Sequence, residues 1–299
     1  EKTNGWNTAI NRRQFAIDLP EWSWPATYRD PDVTYAKQLS FARGDLTFEL
    51  RHARGETDDA TWTWVPERKV LHPGDLFIWA VPNAGNPQKV QRYLSDWATA
   101  LREMAALGPE IMLSGHGLPI FGVARIVQAL TDTADLLDSL EAQTLALMNQ
   151  GKSLDTCLHE VEVPAHLRDR PYLRPVYDHP QFLVRNVWRR YGGWYDGEPD
   201  NLLPAPRAEQ ARVWVELAGG VDAVMTRAKS ALDGGDHAIA CHLIEFCALT
   251  EPDNRDMWAL RGEIYRTRSQ THDSSMARNI LHHAALASDQ AKRDLAGDY

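Results

Sequence analysis

Glu56, Asp75 and His116 are the residues of this sequence whose types and spacing could do chemistry together. Two carboxylates and an imidazole are the donors that a hard or borderline divalent cation takes. Glu56 follows a glycine after a strand-like run. Asp75 follows Pro73-Gly74, nineteen residues later, and His116 sits between two glycines in LSGHGLPIFG, residues 113–122. Each has a plainer reading alone. A glycine-flanked histidine is commonly an ordinary loop residue, Pro-Gly-Asp is frequent turn chemistry, and Glu56 stands close to Asp58 and Asp59 as a turn acid would.

The surrounding elements must bring the three together. LTFELRHA (46–53) and TWTWVP (61–66) alternate apolar and polar residues as half-buried strands do. KVLHPGDLFIWAVPN (69–83) reads as two short apolar runs broken at Pro73-Gly74. Residues 90–108 carry apolar side chains at helical spacing and stop at Gly108-Pro109; EIMLS (110–114) then reads as a buried strand feeding the GHG loop. Strand, helix, strand and loop make an α/β arrangement, in which ligands collect beyond strand ends. From residue 123 the period turns helical: one long helix over 123–151, a proline-rich loop section over 164–206, and helices again over 207–290. Within that tail, residues 235–266 carry the small and aromatic positions of one tetratricopeptide-type helix pair.

Joined to a later segment, the constellation resembles the metallo-β-lactamase superfamily, and within it the alkyl sulfatases. The residues that carry the likeness are PGD at 73–75, GHG at 115–117, glutamate at position 56, and YDHPQFLVRNVWRRYGGWYDGEPDNLLP at 177–204. The fold this implies is α/β then all-α. Residues 1–122 would be the second half of a metallo-β-lactamase αββα sandwich, and residues 123–299 an α-helical dimerisation domain. The resemblance implies a binuclear zinc hydrolase of an alkyl sulfate-type ester: Glu56 on one Zn2+, Asp75 bridging both, His116 completing the second. The family's HxHxDH motif does not occur in this sequence. The remaining ligands are therefore expected from an N-terminal portion, removed or carried on a separate chain. An opening Glu-Lys-Thr-Asn without initiator methionine fits that expectation. Asp75 stands where the alkyl sulfatases usually carry glutamate, and the next loop, PNAGNPQKVQRY, departs from their pattern. In that loop Asn83, Lys89 and Arg92 are the expected holders of the small anionic ester, and a homodimer is the expected assembly.

Composition narrows the rest. The 32 basic against 41 acidic residues leave a formal charge of −9, which repels phosphate backbones and argues against nucleic acid as a partner. Three cysteines are too few for a disulfide framework, and no apolar run approaches a membrane span. The compartment stays open between bacterial cytoplasm and periplasm. Two rivals also stay open: a zinc hydrolase of a phosphate ester, thioester or lactam, and a non-catalytic helical interaction protein.

Overall fold

The computed structural model describes residues 4–15, 27 and 29–296. They divide into two compact units, residues 30–198 and residues 1–29 with 199–299. Helix α1 (Asn4–Phe15) opens the chain and belongs to the second of these.

The unit over 30–198 is built on a six-stranded sheet in sequence order: β1 (Gln38–Arg43), β2 (Leu46–Ala53), β3 (Ala60–Val65), β4 (Val70–Ile78), β5 (Ile111–His116) and β6 (Ile120–Phe121). Neighbours are antiparallel except β4 and β5, which run parallel. On β3, Trp62 and Trp64 are buried, as its alternation predicts. The two runs expected around Pro73-Gly74 are instead one strand, β4. Its pairing with β3 ends at His72, so no ladder bond is asked of Pro73. Its register with β5 shifts between Leu71 and Gly74 and again before Ile78, which bends the strand beside Asp75. Asp75 therefore lies inside a bulged strand rather than just past a break between two runs.

A parallel pair needs a crossover, and α2 (Leu94–Ala106) supplies it. Leu94, Trp97, Ala98, Leu101 and Met104 fall on one face of α2 and are buried. The Trp97 indole N–H donates to the Leu76 carbonyl at 2.8 Å, which locks the helix to β4. Helix α3 (Val123–Asn149) lays Ile126, Leu130, Leu137 and Leu140 into the same core. One sheet layer under one helical layer is the half-sandwich expected.

The 164–206 section is less loop-like than its prolines suggest. After α4 (Leu154–Glu160) come a short α5 (Ala165–Arg168) and a full helix, α6 (Pro180–Gly192). Pro180 occupies the first turn of α6, where a missing N–H costs nothing, and the His179 ring accepts the Gln181 N–H as a cap. Helix α3 packs on α2, and α6 on α3, so these helices stay with the sheet and the unit ends at residue 198; the line read from the sequence fell after residue 122.

The other unit is helical: α1 with α7 (Arg207–Leu217), α8 (Val221–Asp233), α9 (His237–Thr250), α10 (Arg255–Gln270) and α11 (Ser275–Asp289). Helices α9 and α10 pack against each other over the stretch read as a helix pair, with Ile244, Cys247, Trp258 and Ile264 in the core. A buried ionic knot ties α9 to α10: Arg261, 2% exposed, reaches Glu245 at 2.6 Å, and Tyr265 donates to the same carboxylate at 2.9 Å. Arg293 closes on its other oxygen at 2.8 Å. All three cysteines are buried and unpaired. Among the described residues, no helix is long and apolar enough to cross a membrane.

Candidate metal centre

His116 ends β5, and its Nε2 stands 3.3 Å from Asp75 Oδ1 on the bend of β4. Both side chains face solvent, at 74% and 45% exposure, so the pair is open to a ligand. The glycines around His116 are there for space. A Cβ on Gly115 would lie 2.5 Å from the Gly74 carbonyl oxygen and 2.6 Å from Asp75 Oδ1. One on Gly117 would lie 2.2 Å from the Trp79 ring, and Gly117 holds φ at +103° besides. The Trp79 indole N–H then fixes the loop by donating to the Leu118 carbonyl at 2.7 Å.

Glu56 sits on the turn after β2. Gly55 makes that turn possible, since a Cβ there would strike Leu76 at 2.3 Å. Burial raises the Glu56 carboxyl above the usual carboxylate range; Arg92 pulls it down, Asp75 pushes it up, and His116 pulls it down again. Asp75 and His116 thus both lie within electrostatic reach of Glu56.

The loop between β4 and α2 backs Glu56. Asn83 Nδ2 donates to Glu56 Oε1 at 2.6 Å, and the Arg92 guanidinium approaches the same oxygen at 3.6 Å. Asn83 is 1% and Arg92 4% exposed, and Arg92 also donates to the Asn83 carbonyl. Two of the three residues expected to hold an ester are therefore buried and aimed at Glu56. Lys89 is half-buried on the same loop; its N–H donates to the Asn86 carbonyl at 3.3 Å, and its own carbonyl accepts from Arg189 at 3.3 Å.

Two further residues belong to this arrangement. Asp178, wholly buried, accepts the Gly85 N–H and the His179 N–H, both at 2.7 Å. Burial pushes its carboxyl up to about 7 against the pull of those N–H groups and Arg92. Asn186 on α6 donates to the Arg92 carbonyl at 2.7 Å. Both lie in the segment 177–204 read for its likeness to a family. Nothing in their residue types marked them as neighbours of Glu56, because the contact spans more than ninety residues of sequence.

In kind, oxygen from Glu56 and Asp75 with nitrogen from His116 suits zinc. In number it falls short: among the described residues, no group of three or more histidine, cysteine, aspartate or glutamate side chains is gathered closely enough to hold a metal ion alone. Asp75 and His116 are the pair at ligand spacing, with Glu56 behind them.

Residues 154–290 match the model of the alkyl sulfatase dimerisation family. The (R)-specific secondary-alkylsulfatase of Pseudomonas sp. is 30% identical over 247 residues, covering 81% of this chain and 37% of its own. A linear primary-alkylsulfatase of Pseudomonas sp. is 28% identical over 233 residues, covering 77% of this chain and 44% of its own. The solved structure of the stereoselective inverting sec-alkylsulfatase Pisa1 from Pseudomonas sp. superposes with a TM-score of 0.82 at 27% identity, over 88% of this chain and 42% of that one. The chain thus spans less than half the length of these relatives. The helical part of the chain thus matches the alkyl sulfatase dimerisation family, and alkylsulfatases align across most of the chain's length.

Proposed function

We propose that this chain forms one side of a binuclear zinc centre that hydrolyses an alkyl sulfate-type ester. The observation that supports it best is the Asp75–His116 pair at 3.3 Å, set on a bend whose glycines leave no room for side chains. His116 would ligate one zinc through Nε2, Asp75 would bridge, and Glu56 would ligate the other; the remaining donors lie outside these three. A zinc pair sharing a carboxylate supplies Lewis acidity and a water acidic enough to lose its proton near neutral pH.

The chain's own residues would do the rest. Lys89, on the loop beside the centre, is assigned to the ester's sulfate, whose charge needs a cationic donor. The cleft formed by Trp79, Ile120, Phe121 and Tyr172, with about 320 Å3 of space and Arg125 at its edge, suits the apolar part of the substrate. Trp79 packs on Gly117, so this cleft adjoins the His116 loop. The match to a dimerisation domain supports a homodimer, and α7 leaves Val213, Trp214 and Leu217 exposed for a second copy.

The test measures sulfate release from dodecyl sulfate by the zinc-loaded protein combined with an N-terminal portion that supplies the remaining donors, and by the same assembly carrying Asp75→Ala or His116→Ala. Each substitution is expected to abolish release and to lower bound zinc. Release that survives both, or a protein that takes up no zinc, overturns the reading. A panel of phosphate ester, thioester and lactam run beside the sulfate separates the substrate classes.

A further inference from the structure

Asp178 is placed at unusual cost. A carboxylate with no solvent exposure is expensive unless its oxygens are satisfied, and here backbone N–H groups satisfy them. One of these, His179 N–H, belongs to its own turn. The other, Gly85 N–H, belongs to the loop that carries Asn83 and Arg92. That loop is pressed onto α6 so tightly that a Cβ on Gly85 would lie 2.2 Å from the Phe182 carbonyl carbon and 2.3 Å from the Leu183 nitrogen. Asn186, two turns along α6, grips the loop's other end through the Arg92 backbone, donating to its carbonyl at 2.7 Å and accepting its N–H at 3.5 Å. Of the two contacts that reach Glu56 from this loop, one starts from Arg92, whose backbone Asn186 holds, and the other from Asn83, two residues from Gly85.

We propose that Asp178 is a positioning residue: by holding Gly85 it sets where Asn83 and Arg92 keep the Glu56 carboxylate, and through Glu56 it sets the zinc affinity of the centre. The inference rests on the reading of Glu56 as a ligand. Asp178 does not touch the metal or the ester. Without its carboxylate, the Gly85 N–H is left buried and unpaired, and the loop must shift to satisfy it. The Asn83 bond of 2.6 Å to Glu56 Oε1 is two residues from that shift.

The experiment is a double-mutant cycle read as zinc affinity, by competition with a chromophoric chelator, on the protein combined with an N-terminal portion that supplies the remaining donors, and on its E56A, D178A and E56A/D178A forms. Loss of an outer partner of a metal ligand lowers affinity roughly 10–100-fold. D178A is expected in that range, with D178N between it and the unsubstituted protein because the amide keeps one acceptor. In the E56A background, D178A should cost nothing further, since the residue it positions is gone. General loosening of the fold would weaken zinc binding in both backgrounds, and additive losses therefore overturn the proposal. A loss in E56A with none in D178A overturns it too, leaving the ligand reading intact. An E56A protein with full zinc affinity overturns the ligand reading itself. Should D178A fail to fold, the cycle runs with D178N, and a D178N affinity equal to that of the unsubstituted protein overturns the proposal.

Discussion

Gly115→Ala tests the claim that His116 meets Asp75 only because β4 and β5 close to backbone contact. Gly115 is not among the glycines with positive φ, so alanine costs nothing in backbone conformation and adds one methyl group. That methyl carbon would sit 2.5 Å from the Gly74 carbonyl oxygen and 2.6 Å from Asp75 Oδ1. Carbon–oxygen contacts normally settle at about 3.3–3.6 Å, so the strands must part by close to ~1 Å. Overpacking of this kind costs about 1–3 kcal/mol. For a unit of this size each kcal/mol lowers Tm by roughly 2–4 °C, so calorimetry should show a fall between about 2 and 12 °C. The displacement falls on the Asp75–His116 contact itself, so zinc affinity should drop at least about tenfold, by the sensitivity of metal ligands to their supports. A G115A protein with an unchanged Tm and unchanged zinc affinity would refute the close-approach reasoning.

The remaining expectations concern the support of the site and the helical unit. Leu101→Ala, emptying a fully buried position on α2, should cost about 2–5 kcal/mol in a denaturant melt; a loss under ~1 kcal/mol would mean that α2 is not the sheet's cover. Asp178 titrates at about 7 in the fold against an ordinary 3.8, so its contribution is fully present below about 3.8 and lost as pH rises through about 7. Relative to D178N, the unsubstituted protein should lose up to ~4 kcal/mol across that window, and a flat difference between pH 4 and 7 refutes the assignment. Glu245→Ala strands Arg261 in the helical core and should destabilise that unit by about 3–5 kcal/mol, checked by its chemical melt. Burial alone would raise the Glu245 carboxyl, but Arg261 and Arg293 hold it below the usual range. Its stabilisation is therefore present above the ordinary carboxylate range and fades as pH falls through the depressed value, and E245A should flatten that acid limb.

The elements that announce themselves by period were legible. The alternation of β2 and β3, the apolar stripes of α2 and α3 and the α9–α10 pair all stand where the sequence puts them. What misled was proline. Pro73 read as a break between two runs, yet it sits where β4 owes β3 no hydrogen bond. Pro180 read as part of a loop, yet it starts α6. In both places the residue's cost depends on which N–H the fold happens to need, and pattern alone carries no record of that. The same limit explains Asn83 and Arg92. Their polarity and loop position suited ester binding, but burial at 1% and 4% turned them toward Glu56.

The candidate site could be read as residue types, and its support could not. Glu56, Asp75 and His116 could be chosen because metal donors are few and their glycine neighbours are conspicuous. What holds Glu56 could not, because it runs from Glu56 to Asn83, from Gly85 to Asp178, and from Arg92 to Asn186, crossing from the sheet's turn to α6 by way of a loop. The stretch matched as a dimerisation domain thus includes, in α6, residues that brace the loop behind Glu56. On the function proposed above, assembly and chemistry would share that helix. A substitution on α6 chosen to disturb association should therefore be examined for its effect on Arg92 and Glu56 before its consequence for activity is ascribed to the dimer.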